Sequence, residues 1–300
     1  MKLSMNMEYL VARLGNEKAA SLVAEAGFDC VDYSLMDMVN GDCVFNGADY
    51  IAEAQKVGRI FRDYGVPVRQ AHAPFRFKDY EDPVAFRDHI FPTIARSVEA
   101  AAGMGAPIIV VHPLHYTDTS TPDEIFQRNM KFYNDLLPVC KACGIQVAVE
   151  NMFRRDQRRG HIIHDSCSRA EEFCRYVDAL DKEYFVACLD VGHVGLPVQE
   201  DEAWDFVYKL GHDRLKSLHI HDNDYKNDQH GVPYSGKIDW DKVTKALGQI
   251  DYTGDFTYEI SMTGVIGQME PELYPAALRY IHDIGRALVA KTEEYRVKSE

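Results

Sequence analysis

The 300-residue chain predicts a (β/α)8 barrel, the TIM-barrel architecture, filling residues 1–300 as a single domain. Three observations carry this. About eight short β-rich runs recur along the chain, each separated from the next by a stretch long enough to hold a helix. Nearly every run from the third onward ends in a polar, metal-capable residue, and a barrel is the fold that gathers strand C-termini at one mouth. No low-complexity segment, Ser/Gly linker or sharp change of composition marks a second domain.

The elements follow in order. A β-like run at 2–6 leads to the helical stretch 16–27, and a second run at 30–33 precedes the stretch 50–64. The run 67–72 is followed by apolar spacing of helical period at 84–103, and the run 107–112 by the stretch 122–143. The remaining strands are 145–150, 184–190, 216–221 and 255–260, with helical stretches at 168–180, 202–210, 241–250 and 271–294. Gly27, Gly65 and Gly144 fall at helix ends, where a left-handed residue closes the last turn. Thr121-Pro122-Asp123-Glu124 supplies a cap, a first-turn proline and acidic residues at a helix start. Two longer loops, 34–48 and 223–239, follow strands and therefore belong at the mouth as lid or specificity elements.

Composition narrows the function. With 46% hydrophobic and 27% charged residues the chain is an ordinary globular protein. Its net charge of −14 opposes attraction to a polyanion, so no nucleic acid partner is expected. The short cluster Arg154, Arg155, Arg158 and Arg159 reads first as a solvated loop, with an arginine reaching a sugar phosphate at the barrel mouth as the secondary reading. The first residues run from Met1 into polar Glu8, Arg13 and Glu17, which leaves no apolar signal core, and no apolar run approaches the roughly 18 residues of a membrane span. A cytoplasmic protein with no membrane partner is expected. Seven scattered cysteines fit reduced thiols. Cys140 and Cys143 lie in a helical pattern with no second pair to complete a zinc site.

The informative pattern is His72, His112, Glu150, Asp190, His219 and Glu259, each at or near the end of a strand. Two carboxylates and a histidine with a fourth oxygen ligand suit one hard or borderline divalent ion such as Mn, Mg, Co or Zn. Its use is Lewis-acid chemistry: polarising a carbonyl or hydroxyl and stabilising an enediolate while paired carboxylates move the proton. His221 lies two residues beyond His219 and so shares its face, which leaves both as ligand candidates.

Nearly the whole chain resembles the xylose isomerase-like barrels, the sugar isomerase/epimerase superfamily related to the apurinic-site endonucleases. The motifs are Gln70-Ala71-His72-Ala73-Pro74, Val110-Val111-His112-Pro113, Glu150-Asn151, Leu189-Asp190-Val191-Gly192-His193, His219-Ile220-His221-Asp222, Gly236-Lys237-Ile238-Asp239-Trp240 and Tyr258-Glu259. The resemblance implies that Glu150, Asp190, His219 and Glu259 bind the metal and that Glu150 and Glu259 form the acid/base pair. It implies substrate contacts at His193, His72, His112, His230 and Asp222, and the His-x-x-Asp spacing favours His219 over His221. The implied substrate is a small sugar or polyol, free or phosphorylated, and the implied assembly is a homo-oligomer. Asp222-Asn223-Asp224-Tyr225 stands where ketose 3-epimerases carry Glu-x-x-Arg, a departure that weighs against a free ketohexose. Two alternatives share the framework: a lyase of the inosose-dehydratase or C-glycoside-cleaving kind, and an endonuclease-like trinuclear zinc site that adds His72, His112, His193, Asp228 and His230.

Overall fold

Ile108–Val111 is buried at every position, the mark of a strand covered on both faces. The computed structural model, which describes residues 1–116 and 120–296, sets this strand in an eight-stranded sheet. Its members are β1 (Leu3–Asn6), β2 (Cys30–Ser34), β3 (Val68–His72), β4 (Ile108–Val111), β5 (Gln146–Glu150), β8 (Phe185–Asp190), β9 (Leu215–His219) and β10 (Phe256–Tyr258). They pair in the order β10-β1-β2-β3-β4-β5-β8-β9, and every pairing is parallel. The two end strands meet through Ile220, whose N–H donates to Thr257 O at 2.8 Å while its carbonyl accepts from Glu259 N at 3.1 Å. That contact closes the barrel.

Alternation sorts the strand residues between two cores. Ile108, Val110, Ala148, Val186 and Cys188 form a small cluster of their own, while Ile109, Val111, Val147, Val149 and Ala187 join the large core shared with the helices. Part of the barrel is tied by polar groups instead: Gln70 Oε1 accepts from Ser217 Oγ at 2.6 Å and Thr257 Oγ1 at 3.3 Å, across β3, β9 and β10.

The helices lie close to the expected segments. Pro122–Cys143 begins with a capping box in which Thr121 and Glu124 exchange hydrogen bonds. Gly27, Gly65 and Gly144 all take positive φ. The expected helix at 84–103 is present and runs unbroken from Pro83 to Met104, with a π turn at Phe86–Ile90 inside it. Pro92 is the reason, because it has no N–H for the carbonyl four residues back. The arginine-bearing segment is a hairpin of β6 (Phe153–Arg155) and β7 (Ile162–His164). Its turn is held by Asp156 Oδ1, which accepts from the N–H groups of Arg158 and Arg159 at 2.9 Å each. Three-residue strands are too short for their alternation to stand out in sequence. Among the described residues no helix is long and apolar enough to cross a membrane.

One helix contact is unusually close. A Cβ built on Gly58, inside Tyr50–Asp63, would stand 2.2 Å from Met104 O at the end of Phe91–Met104. Gly58→Ala is therefore expected to lower the unfolding free energy by about 1–3 kcal/mol, since overpacking outweighs alanine's better helix propensity. Denaturant titration checks this. Unchanged stability would mean that the two helices do not approach this closely.

Candidate metal centre

Parallel strands that end at one level deliver their last side chains to one place. Glu150 ends β5, Asp190 ends β8, His219 ends β9 and Glu259 follows β10 by one residue. Asp190 and His219 are direct register partners. His219 Nδ1 stands 3.1 Å from Glu150 Oε1 and 3.3 Å from Glu259 Oε2. One donor atom from each of Glu150, Asp190, His219 and Glu259 falls within 4.8 Å of all the others. The donor chemistry, three carboxylates and an imidazole, fits a hard or borderline divalent cation. An unused polar atom agrees: His219 Nε2 is buried with no hydrogen-bond partner, a state that a buried polar group rarely keeps without another partner.

Around this set the other expected residues fall into two neighbouring groups. His72 and His112 flank Glu150, with His112 Nε2 3.0 Å and His72 Nε2 3.6 Å from Oε2. His193, His221, Asp228 and His230 make the second group, again with donor atoms within 4.8 Å. Here His230 Nε2 lies 2.9 Å from Asp228 Oδ2, and the His221 and His230 rings stack at 3.9 Å. His219 and His221 thus share a side but not a neighbourhood: His219 meets the two glutamates, and His221 Nε2 meets Asp190 Oδ1 at 3.0 Å. His193 donates through Nδ1 to Asn151 O at 2.9 Å, which leaves Nε2 facing Asp190 and Asp228 at 3.7 and 3.8 Å.

The charges hold one another. Burial alone would raise the Glu150 carboxyl, but His219 and His112 keep it well below the usual range. Burial likewise opposes ionisation of Asp190, and His193 and His221 outweigh it, so its pKa is lowered. Burial would lower His230, yet the Asp228 hydrogen bond and the nearby carboxylates carry it to about 10.

Above the carboxylates opens a cleft of about 560 Å³, whose walls include Asn6, His112, Phe153, His193, His230 and Glu259. Glu259 keeps 22% of its side-chain surface open, whereas Glu150 keeps 1%. Phe75 stacks on His112 at 4.1 Å and Phe153 meets His193 edge-on at 4.9 Å. Ser34 and Met36 bring the start of the 34–48 loop to the cleft.

Asp222 is not brought to the cleft. It is fully buried, with Oδ1 accepting from Asn223 N at 2.9 Å and Ile238 N at 3.2 Å and Oδ2 from Trp240 Nε1 at 2.9 Å. The chain has left the strand by this point, and backbone pairing of Asp222 with Gly231 folds the loop back. Asp222 therefore pins the loop to the helix Trp240–Gln249 rather than facing a ligand. Two residues beside the centre were not singled out as site residues. Asn151 clamps Asp190 from both sides, donating to its carbonyl at 2.9 Å and accepting from its N–H at 2.8 Å. Asp32, buried on β2, has Oδ2 4.0 Å from His219 Nε2. The available signal for Asp32 was an acid inside a predicted strand.

Fold and strand-end cluster together define a class, the parallel (β/α)8 barrels that carry a metal-capable carboxylate and imidazole centre at the C-terminal mouth. Within it, the chain belongs to the xylose isomerase-like TIM barrel family, which matches residues 20–284. It is 26% identical over 275 residues to y4fM, an uncharacterized protein of Sinorhizobium fredii, covering 83% of this chain and 82% of that protein. A crystal structure of D-psicose 3-epimerase in the presence of D-fructose is similar with a TM-score of 0.71 at 18% identity, over 96% of this chain and 99% of that one. The 3-keto-D-glucoside 4-epimerase YcjR of E. coli gives 0.69 at 18%, over 94% and 99%. At such identities the structural likeness is one of fold.

Asp222→Ala is expected to lower stability by about 2–4 kcal/mol, because three buried donors lose their acceptor, and to open the 223–239 loop to limited proteolysis. A variant as stable as the parent that loses only ligand binding would return Asp222 to a substrate contact.

Proposed function

We propose that the chain is a metal-dependent isomerase or epimerase of a sugar or polyol. The observation that carries this reading is the donor set of Glu150, Asp190, His219 and Glu259 at the foot of a cleft walled by imidazoles. Similarity in fold to a D-psicose 3-epimerase and a 3-keto-D-glucoside 4-epimerase supports the class of reaction. Glu150, Asp190, His219 and Glu259 would hold a divalent cation, Mn, Mg, Co or Zn, which would supply positive charge to a substrate carbonyl and so acidify the adjacent C–H.

The chain's own groups do the rest. Glu150 and Glu259 are the proton-transfer pair: one carboxylate takes the proton from carbon and the other returns one. Return to the opposite face of the same carbon inverts it, and return to the adjacent carbon gives the isomer. His193 commits Nδ1 to the Asn151 carbonyl, so its Nε2 is oriented for a substrate oxygen, whereas His230 has Nδ1 on the Glu259 carbonyl and Nε2 on Asp228 and meets a substrate oxygen by exchanging that carboxylate. His72 and His112 line the other side of Glu150 and serve the same purpose. Phe75 and Phe153 offer apolar faces to the C–H side of a sugar.

A second reading has its own observation. The sets His72/His112/Glu150 and His193/His221/Asp228/His230 could each hold a further cation, as an endonuclease-like trinuclear zinc site would require. The net charge of −14 disfavours a DNA substrate.

Elemental analysis combined with solvent-deuterium exchange, followed by NMR on ketoses, inososes and their phosphates, separates the readings. One equivalent of metal with stereospecific exchange into a sugar is expected. Elimination products would move the assignment to a lyase, and about three zinc ions with incision of abasic DNA would move it to the endonuclease. Glu259→Gln is expected to slow exchange by about 10²–10⁴-fold. Glu150→Gln is expected to lose turnover and weaken metal binding while the unfolding transition persists; full activity in that variant would sink the proposal.

A further inference from the structure

His219 has two ring nitrogens, and they face different surroundings. Nδ1 looks toward Glu150 and Glu259, so a cation among the carboxylates would be met by Nδ1. A neutral imidazole that offers Nδ1 as a lone pair carries its proton on Nε2. His219 Nε2 is buried and without a hydrogen-bond partner, and a proton there needs an acceptor inside the barrel. Cys188, on the neighbouring strand β8, offers only a sulfur, a weak acceptor. Asp32 Oδ2, at 4.0 Å, is the carboxylate oxygen that approaches Nε2 among the described residues.

Asp32 is otherwise hard to account for. It is fully buried on β2, outside the cleft lining. Its Oδ2 accepts from Asn6 Nδ2 at 2.9 Å, and its Oδ1 has no partner. A buried carboxylate so sparsely paired costs stability that an apolar residue at the same place would not. The geometry points to Asp32 as a positioning residue: it accepts the Nε2 proton of His219 and thereby selects the tautomer that leaves Nδ1 free for the metal. This rests on the proposed role of His219 as a ligand. At 4.0 Å the contact is longer than a hydrogen bond, and a movement of about 1 Å by the Asp32 carboxylate makes it one. Groups that orient a ligating histidine in this way typically change metal affinity 10–100-fold.

If Asp32 and Asn6 merely joined β1 to β2, their loss would change stability and leave the metal alone. The test is the Co²⁺ dissociation constant of the full chain, measured by chelator competition, with thermal unfolding followed in parallel. Asp32→Asn is expected to bind Co²⁺ about 10–100-fold more weakly while still folding, because an amide N–H turned toward Nε2 favours the wrong tautomer. Asp32→Glu is expected to recover part of the loss. Should Asp32→Asn fail to fold, Asn6→Ala, which frees the carboxylate without replacing it, is expected to weaken binding by more than about threefold. Affinity within about twofold of the parent in the folded Asp32→Asn variant, or in Asn6→Ala where that variant is used, overturns the inference. Glu150→Gln is the reference: if it loses Co²⁺ while Asp32→Asn keeps it, the role of Asp32 fails alone, and if it keeps Co²⁺ the ligand assignment beneath it fails too.

Discussion

Glu150, Asp190 and Asp32 are at most 1% exposed, and a carboxylate taken that far from water must be neutralised, hydrogen-bonded or bound to a cation. The mouth of the barrel answers with imidazoles: His72, His112, His193, His219 and His221 each lie within 4.0 Å of one of these carboxylates. No member of this set could be so deeply buried without the others. These residues ride on six strands or on the residues just beyond them, so the full charge balance exists only when the sheet has formed, and the contact between Ile220 and the β10 backbone closes it.

Rigidity at the centre comes from groups that never reach the cleft. Asn151 locks the end of β5 to the end of β8, so the backbones carrying Glu150 and Asp190 cannot drift apart. Gln70, Ser217 and Thr257 join three strands by hydrogen bonds within the barrel. Carboxylates presented from strands held in this way keep fixed separations, which proton transfer and metal coordination both require.

The 223–239 loop follows a different principle. Tyr225, His230 and Tyr234 all have positive φ, a conformation that costs non-glycine residues of order 1 kcal/mol each. Asp222 offsets this by collecting two loop N–H groups and the Trp240 indole. Gly236 permits the close approach, since a Cβ there would stand 2.2 Å from Asn223 O. The strain is localised where His230 is aimed at the cleft. A loop so constrained delivers a side chain from outside the barrel with nearly the definition of one on a strand.

The strand runs, the helices between them and the polar strand ends were all legible in the sequence, because parallel strands buried on both faces leave apolar runs and a barrel has one place to put their C-termini. His72, Glu150, Asp190, His219 and Glu259 could be read in this way from position alone. Local pattern was insufficient elsewhere. Pro92 put a π turn inside an otherwise continuous helix, and the β6–β7 hairpin was too short to show its alternation. Spacing placed Asp222 near His219, but the backbone turned it beneath the loop. Only tertiary packing divided His219 from His221, assigned His193 and His230 to a group built from three separate segments, and brought Asp32 against the far side of His219. Sequence records which side chains share a face of one strand; which of them meet across the barrel depends on stagger, loop path and closure, and those exist only in the folded chain.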